Sequence, residues 1–547
     1  LGDLPDSASP EAPGDAATLK NAKNRINALN KKYGGGFYLF TRSRTYSATE
    51  ERYMGRERKR GALLELAGLI AAGERGTLTV VGDESYLSRV KYVITLDSDT
   101  RLGLGGACDL IGAMLHPANH PVVKNGVVTE GYAIMQPRME TSLEAAGKTP
   151  FARLISGAGG SDIYASASYE TYQTIFGEGN FCGKGIFDVR LYWELLKDAF
   201  APETVLSHDL LEGTRLRCAY LSGITATDSC PKTADSYFKR LHRWIRGDTQ
   251  AMAYAGDTIV TGSSVGVPSA SAMGITGSAE ISEYRRLVRV KNPISILSRY
   301  KLFDNIRRAL LPVCAVLAMA YGLAIGPAAA IVAIIFSTLY IAMPVIIASA
   351  TATRSLPRRF YSSVTSGVWQ SLGLALWNLA TLLHTAMCAA DAMIRALWRM
   401  TVSRQHLLEW VTAAEAEKMR RDSFGYNLKL TLPTFIAGAL LVVFSPYALY
   451  KLLGLLWLGL PLFFTLSGRE TVTEAESAIT PARRAAVTKY VYDMWKYFSE
   501  TVTAADHWLP PDNLQLAPSE MVARRTSPTN IGLYLVSCLA AYKLSII

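Results

Sequence analysis

Hydrophobic and polar positions in the first 250 or so residues alternate between the spacings expected of helices and of strands. The polar stretch over residues 1 to 20 is rich in Pro, Asp, Ala and Gly and predicts a loop. A helix is predicted from Ala16 to Lys32 and a strand from Phe37 to Thr41. Further strand and helix signals follow along the chain, up to and including the segment from Ala133 to Pro137. This alternation predicts an α/β domain.

One apolar strand in this region ends in two carboxylates. Tyr92 to Leu96 is β-branched and apolar, and Asp97 and Asp99 follow it directly. Ligands of open α/β sheets lie beyond the carboxyl ends of strands, and two hard oxygen ligands suit Mg²⁺ or Mn²⁺, an ion that usually accompanies a diphosphate. The alternative is an Asp-rich turn that caps the helix predicted after Leu104.

The second half of the chain contains apolar stretches long enough to cross a bilayer. Ala309 to Ile325 and Pro327 to Ser349 predict one helical hairpin, and Leu432 to Phe464, broken at Ser445-Pro446 and near Lys451, predicts another. Trp369 to Leu397 carries polar residues and predicts an interface helix. Four spans with basic flanks would leave both soluble ends in the cytosol.

Composition and charge agree with a membrane protein that has a large soluble part. The chain has 547 residues, and its net charge of +11 comes largely from basic residues beside apolar segments, which argues against a nucleic-acid partner. The seven cysteines show no C-x-x-C spacing and predict reduced thiols without a zinc site. Polar character returns near Glu474, so we expect three domains, at residues 1–290, 291–470 and 471–547.

Two basic or glycine-rich segments are candidate ligand contacts. Tyr53 to Gly61 predicts a basic helix, whose Arg58 and Lys59 would neutralise a diphosphate. The alternative is a solvated helix face. Phe176 to Gly185 has closely spaced glycines that allow close backbone approach to a ligand, but it matches neither dinucleotide nor Walker fingerprints.

Two further segments carry groups suited to sugar chemistry. Asp209, in the run SHDLLEG, stands at a predicted helix start, where it could act as a general base or simply cap the helix. Arg240 to Asp248 places a tryptophan among cations, so that the ring could stack on a sugar while arginine contacts phosphate. The alternative is a basic amphipathic helix near the membrane.

Taken in order, the runs DSD, SHD and HRWIRGD before a membrane region resemble those of processive inverting family 2-type glycosyltransferases. The runs GRERKRGAL, GEGNFCGKGIFDV, LSHDLLEG and HRWIRGD resemble, more narrowly, the transferase domain of bacterial cyclic β-1,2-glucan synthases over roughly residues 35 to 470. The resemblance implies a GT-A-like α/β domain joined to an α-helical membrane region.

The resemblance also implies roles for single residues. Asp97 and Asp99 would hold the metal and the UDP of UDP-glucose, and Asp209 would deprotonate the acceptor hydroxyl. Arg243 and Trp244 would bind the diphosphate and the acceptor sugar. Further candidates are Arg58 and Lys59 on the donor side and Gly179, Phe181 and His242 on the acceptor side.

One position departs from the family pattern. The wider superfamily has Gln at the first position of its Q-x-x-R-W motif, where this chain has Arg240. We therefore expect no Gln-mediated acceptor contact, while the matching Arg243 and Trp244 keep their implied roles.

The resemblance extends to the ends of the chain and to its surroundings. Trp508 to Gln515 and Arg525 to Leu533 resemble the opening of a glucoamylase-like helical domain, which predicts an all-α C-terminal part. Asp3 and Asp6 would lie at the tail of a truncated first nucleotide-binding strand, in a piece of a longer protein. A multi-pass protein of the bacterial inner membrane is implied, with its catalytic domain in the cytosol. A β-glucan acceptor is implied too, and further domains of the same polypeptide would control chain length and cyclisation.

Other functions remain open from the sequence. A linear polysaccharide synthase of the cellulose or hyaluronan type would need a membrane part large enough for a channel. A glycoside hydrolase or phosphorylase would need paired carboxylates without UDP-sugar. A non-catalytic scaffold would tolerate loss of Asp97 or Asp209. The tyrosine-rich stretch from Tyr164 to Tyr172 could anchor a growing glucan, although aromatic packing explains it as well.

Overall fold

A computed structural model describes residues 1–156, 170–263, 286–355, 372–410, 423–470 and 480–547. Contacts divide the chain into two compact units, Leu1–Thr471 and Val472–Ile547. Of the suggested tyrosine anchor, Tyr164 and Tyr169 lie outside the described residues, and Tyr172 is buried in a short helix.

Helices and strands alternate through the first part of unit one. Its helices are α1 (Asp15–Tyr33), α2 (Arg58–Ala72), α3 (Gly106–Leu115), α4 (Leu143–Gly147), α5 (Pro150–Ile155), α6 (Thr171–Phe176), α7 (Val189–Leu196), α8 (Asp209–Leu216) and α9 (Ala234–Ala251). Its strands are β1 (Leu39–Arg42), β2 (Thr45–Ser47), β3 (Arg52–Met54), β4 (Leu78–Val81), β5 (Tyr92–Thr95), β6 (Arg101–Leu102), β7 (Val122–Lys124), β8 (Val127–Glu130), β9 (Ile134–Thr141), β10 (Gly185–Asp188), β11 (Cys218–Asp228), β12 (Thr258–Ser263) and β13 (Arg286–Lys291).

A five-stranded sheet forms the centre, with strand order β5-β10-β9-β11-β6. Strands β9 and β11 pair in parallel, with Ala219 opposite Met135, whereas β10 is antiparallel to both β5 and β9. Strands β5, β9 and β11 therefore run in the same direction, and their carboxyl ends lie at one edge of the sheet. Strands β10 and β6 begin at that same edge, since they run the other way.

Side chains that alternate along the central strands bury both faces of the sheet. Ile134 joins a core with residues of α2 and α7, whereas its neighbour Met135 packs against Leu110 and Met114 of α3. Both strand residues are 0% exposed. The predicted α/β class is therefore confirmed, as a sheet between two helical layers.

The basic run before α2 folds differently from the prediction. Tyr53 lies in strand β3, where its ring packs 5.2 Å from that of Tyr46 on β2, and helix α2 begins only at Arg58. The predicted helix over Tyr53 to Gly61 is wrong in its first half, because this cross-strand tyrosine pair favours a hairpin. The alternative of a solvated face does not hold for Arg60, which is buried.

Apolar helices follow the α/β part. They are α10 (Ile296–Ile325), α11 (Pro327–Ser355), α12 (Leu372–Ala380), α13 (Leu382–Trp398), α14 (Phe424–Leu430), α15 (Leu432–Phe444), α16 (Ala448–Leu458) and α17 (Leu460–Ser467). Among the described residues α10 alone is a single helix long and apolar enough to cross a membrane, and α11 counts only with its segment Pro327–Leu339, as a shorter apolar helix. Up to four spans result if each bent pair, α12 with α13, α14 with α15 and α16 with α17, counts as one.

The predicted breaks in this region are partly confirmed. Helix α15 ends at Phe444, directly before the predicted break at Ser445-Pro446. The second break, predicted near Lys451, is wrong: α16 runs through Lys451 and ends at Leu458. Gly459 follows, and Pro461 supports the start of the next helix. A single polar residue in an otherwise apolar helix does not interrupt its hydrogen bonds.

Unit two contains helices α18 (Pro481–Thr501) and α19 (Pro528–Lys543) and strands β14 (Asn513–Gln515) and β15 (Met521–Ala523). The two strands form an antiparallel hairpin between the helices. The prediction of an all-α C-terminal part is therefore wrong in this detail. Consecutive prolines at 510 and 511 cannot continue a helix, and the extended chain after them pairs with itself.

Candidate active site

Three charged groups from separate strands meet at the carboxyl edge of the central sheet. Asp97 follows β5, Asp228 ends β11, and Lys184 directly precedes β10. The Nζ atom of Lys184 lies 2.5 Å from Oδ2 of Asp228 and 3.4 Å from Oδ2 of Asp97. The strand directions explain this meeting, because β10 begins where the other two strands end.

A second ammonium group reaches Asp97 from the first turn of α2. The Nζ atom of Lys59 lies 2.5 Å from Oδ1 of Asp97 and donates to the carbonyl oxygen of Gly183 at 3.0 Å. Burial alone would raise the pKa of Asp97, but Lys59 and Lys184 outweigh it and lower that pKa. Burial likewise opposes the charge on both lysines, yet their neighbours raise the pKa of each. Asp209 and Asp97 do so for Lys59, and Cys182, Asp228 and Asp97 do so for Lys184. This edge therefore carries fixed charges of both signs at neutral pH.

Asp99 stands beside this cluster and faces solvent. Its Oδ2 accepts a hydrogen bond from the hydroxyl of Ser229. The interpretation of Asp97 and Asp99 as caps of the next helix is wrong, because Gly105 is the N-cap of α3 and no side chain caps it. Both carboxylates can be reached from solvent, and carboxylate oxygens are ligands of the kind that divalent cations prefer, but both oxygens of Asp97 already face lysine ammoniums. The metal site at Asp97 and Asp99 stays a prediction.

Asp209 approaches the same cluster from the start of α8. A Cβ atom added to Gly183 would lie 2.6 Å from Oδ1 of Asp209, so the carboxylate packs directly against this glycine. The residue is the first of α8, as predicted, but its Oδ1 is buried without a hydrogen-bond partner, and α8 has no side-chain cap. The capping interpretation is therefore wrong, and the carboxylate remains available for chemistry.

Helix α9 brings a guanidinium toward both carboxylates. Thr233 caps the helix, since its hydroxyl accepts from the backbone N–H of Ser236 at 3.2 Å. Burial and then Arg240 lower the pKa of Arg243 to about 10, while the negative charges of Asp209 and Asp97 act in the opposite direction. The guanidinium also lies 4.3 Å from the ring centroid of Trp410.

The other predicted ligand contacts have protein partners. Trp244 is partly buried, with the guanidinium of Arg240 at 5.8 Å from its ring centroid, and His242 lies 2.9 Å from Asp391 of α13. Arg58 binds Asp6 and the carbonyl oxygen of Leu408, so its described contacts point away from Asp97.

The predicted acceptor contacts in the glycine-rich loop are part of the packing. Phe181 is 4% exposed and lies in the core, against Gly213 of α8. Gly179 is so close to Tyr220 that an added Cβ would lie 2.9 Å from the Cβ of that tyrosine. These two residues support the elements that carry Asp209 and Lys184. Their acceptor role remains a prediction.

Sequence reasoning missed Asp228 and Trp410. Asp228 could have been found, because it follows an apolar strand as Asp97 does. Trp410 gave no local signal. It is held near Arg243 by a segment whose Leu407 and Glu409 carbonyl oxygens accept hydrogen bonds from α9, at 3.0 Å from Gln250 and 2.9 Å from Arg246.

A cavity of about 590 Å³ lies between α9 and the helices α13, α14 and α15. Cations on α9 and α13 line much of it, and Phe238, Met387 and Leu430 supply apolar wall. His242 and Arg243 belong to this lining, so the cavity and the carboxylate cluster share Arg243.

The chain is similar to one curated relative along nearly its whole length. It is 34% identical over 564 aligned residues to the cyclic β-(1,2)-glucan synthase NdvB of Rhizobium meliloti (strain 1021), and the alignment covers 99% of this chain. The same alignment covers 19% of the relative, so the chain spans about a fifth of that protein. No model of a protein family matches the chain.

Proposed function

This chain belongs with the cyclic β-1,2-glucan synthases by sequence, and we propose on that premise that it contains their glucosyl-transfer site. It would transfer glucose from UDP-glucose to a growing β-1,2-glucan, with inversion at the anomeric carbon. The observation that carries the proposal is the convergence of Asp97, Lys59 and Lys184 with Asp209 around Gly183.

The two lysines and Arg243 suit a diphosphate. Cations beside transferring or leaving phosphate groups stabilise the negative charge that develops in the transition state. Lys59 and Lys184 keep their charge at neutral pH, since the neighbouring carboxylates raise their pKa values. When bound by Asp97 and Asp99, Mg²⁺ or Mn²⁺ would supply further positive charge to the diphosphate.

Asp209 suits the part of general base. Its side chain is 31% exposed although Oδ1 is buried, so its second carboxylate oxygen can receive a proton from an acceptor hydroxyl. Asp209 packs against Gly183, whose carbonyl oxygen accepts a hydrogen bond from Lys59. In the proposed reaction the acceptor sugar and the donor diphosphate would therefore bind on adjacent sides of this loop. Trp244, His242 and the neighbouring cavity are the proposed acceptor surface.

The setting of this site is also a proposal. We expect a multi-pass protein of the bacterial inner membrane with the transferase part in the cytosol, where UDP-glucose is available. Helix α10 and the bent pairs would supply the spans. Further domains of the same polypeptide would set chain length and close the ring.

The test compares metal-dependent UDP release from UDP-glucose by the protein in detergent micelles with release by its Asp209→Asn form. We expect release to fall by more than about 100-fold, because the amide cannot accept the proton. Asp109→Asn, an exposed change in the first turn of α3, serves as the matched control and should release UDP like the parent.

Linkage analysis of the product completes the test. A 1,2-linked glucan supports the proposal, whereas 1,4-linked or mixed polymer would favour a linear synthase. UDP release that ignores both metal and Asp209 would contradict the proposal.

A further inference from the structure

A buried series of polar groups lies behind Asp209. The hydroxyl of Tyr192 donates to Oε1 of Glu212 at 2.6 Å, and the same oxygen lies 2.8 Å from Nδ1 of His208. That Nδ1 atom lies 3.4 Å from Oδ1 of Asp209. The series therefore runs from a tyrosine on α7, through a glutamate and a histidine, to the proposed base.

Only the last member of this series can meet a substrate. Glu212 and Tyr192 are each 1% exposed and His208 is 5% exposed, whereas 31% of the Asp209 side chain is exposed. His208 and Glu212 are four residues apart at the start of α8, so they lie on the same side of that helix. The helix thus holds the histidine between the buried and the exposed carboxylate.

Charged groups on two neighbouring elements, α2 and α9, face the series. On α2, the charge of Asp209 acts to raise the pKa of Lys59, and the charge of Glu212 acts to raise the pKa of Arg60 against the effect of burial. On α9, the charge of Asp209 acts to raise the pKa of Arg243. The side-chain ligand atoms of His208, Asp209 and Glu212 all lie within 4.8 Å of one another. Because Nδ1 of His208 is already in hydrogen-bond contact with Oε1 of Glu212 at 2.8 Å, we interpret this cluster as hydrogen-bonded rather than as a metal site.

Two oxygens of the series are buried without hydrogen-bond partners, Oδ1 of Asp209 and Oε2 of Glu212. A buried acceptor without a donor costs about 1–3 kcal/mol, so a small movement that satisfies it is favourable. Within the series, Nδ1 of His208 lies near both acids, at 2.8 Å from Oε1 of Glu212 and 3.4 Å from Oδ1 of Asp209. A shortening of its 3.4 Å approach would satisfy the oxygen of Asp209.

We propose that His208 and Glu212 are positioning residues for Asp209. Glu212 holds the imidazole so that its Nδ1–H points between the two carboxylates and engages Oδ1 of Asp209. The second oxygen of Asp209 is then left for the acceptor hydroxyl. This inference rests on the proposed function, in which Asp209 is the base.

The charge state of the histidine follows from the same contacts. Burial lowers the pKa of His208, but Glu212 and then Asp209 outweigh it, and Lys59 opposes them only in part, so that the pKa is raised. His208 therefore keeps its second proton to a higher pH than a free histidine. Turnover should fall on the basic side of the pH profile, where His208 becomes neutral and binds both carboxylates less strongly.

The test measures kcat and KM for UDP-glucose between about pH 6 and about pH 10, using the protein in detergent micelles. For Glu212→Gln we expect kcat to fall by about 10- to 100-fold with KM changed less than about twofold. The basic limb of kcat should move to lower pH, because the largest cause of the raised His208 pKa is lost. Glu194→Gln, on the exposed side of α7, is the matched control and should leave the limb in place.

His208→Gln provides the second variant. Its amide can donate a hydrogen bond but does not titrate, so the basic limb should disappear while more activity remains than in His208→Ala. A merely structural role would lower activity without moving the limb.

Several results would overturn the inference. One is a basic limb that stays in place in both Glu212→Gln and His208→Gln. Another, which needs no variant to fold, is a parent enzyme without a basic limb in this pH range. If Asp209→Asn abolishes UDP release but these variants behave like the parent, the positioning inference fails and the proposed function stands. Unchanged release by Asp209→Asn would instead remove the proposed function.

Discussion

At the scale of single residues, Gly183 determines how close the base and the cations can come. Its φ of +85° is a backbone conformation that favours glycine, its carbonyl oxygen accepts from Lys59, and its Cα hydrogens face Asp209. Any side chain there would occupy the space of the Asp209 carboxylate. In the sequence Gly183 is one of several glycines in a loop. Its contact with Asp209 depends on the position of α8 in the folded chain.

We predict that Gly183→Ala lowers kcat for UDP release by about 100-fold, since a displacement of about 1 Å in a reacting group has costs of this size. The added Cβ would lie 2.6 Å from Oδ1 of Asp209 and must move it. Gly126→Ala is the control: its φ of +78° imposes similar backbone strain, but nothing lies within 4 Å of the added atom. Equal losses of activity in the two variants would mean that strain alone is responsible.

At the scale of elements, the site depends on helices that join its α/β part to the apolar part. Lys301 of α10 is 2% exposed, and its ammonium lies 2.8 Å from Oε1 of Glu178 and donates to the carbonyl oxygen of Gly179 at 2.9 Å. Helix α9 makes a second connection, because Asn305 of α10 donates to Oδ1 of Asp248 at 2.9 Å. The first apolar helix thus fixes both the glycine-rich loop and the helix that carries Arg243.

The α9–α10 contact should make stability depend on pH. Burial raises the pKa of Asp248 to about 6, against the hydrogen bond from Asn305 and the charge of Arg308. The folded state therefore binds this proton more tightly than the unfolded chain, and stability falls as pH rises from about 4 to about 6. We predict that Asp248→Asn removes this loss and raises stability at pH 8 by up to about 3 kcal/mol, with little change near pH 4.

Thermal unfolding in detergent, followed by intrinsic fluorescence at both pH values, measures this effect. Asp257→Asn is the control, because Asp257 lies on the surface and its side chain is 94% exposed. A gain for Asp248→Asn that is the same at both pH values would contradict the titration of Asp248 as its cause.

At the scale of the whole molecule, exposed apolar side chains along α10 indicate contact with lipid. Leu317, Tyr321 and Ile325 are 63%, 69% and 58% exposed, respectively, on a helix long enough to cross a bilayer. Basic residues lie before this face, and Arg307 and Arg308 pair with Asp304. This arrangement is the one expected of a membrane-crossing helix with a basic flank.

We predict that Leu317→Arg reduces membrane insertion, because an arginine near the centre of a span costs about 2.5–3.5 kcal/mol. The parent should remain in the membrane fraction after alkaline extraction, and the variant should appear partly in the soluble fraction or be degraded. Arg308→Lys, which keeps a cation at the helix entrance, is the control. Complete alkaline extraction of the parent would contradict a spanning α10.

The sequence by itself determined the α/β class of the first part, the apolar segments of the second part and the similarity to cyclic β-1,2-glucan synthases. These signals are local, because each depends on neighbours within one or two turns or strands. They are an apolar strand that ends in carboxylates, a helix start at Asp209 and apolar runs of bilayer length. The family resemblance came from the same local runs, and the similarity to NdvB over 99% of the chain bears it out.

Only the tertiary structure decided which of these groups meet. Lys184 bridges Asp97 and Asp228 because β10 runs against β5 and β9, and strand direction is a property of the sheet. In the folded chain Phe181 is buried in the core and Arg58 pairs with Asp6. His208 and Glu212 contact each other behind Asp209. The contacts of Lys184, Phe181 and Arg58 join residues far apart in the chain, so no spacing within a single motif could have predicted them. The contact between His208 and Glu212 is different, because it follows from a spacing of four residues in a helix.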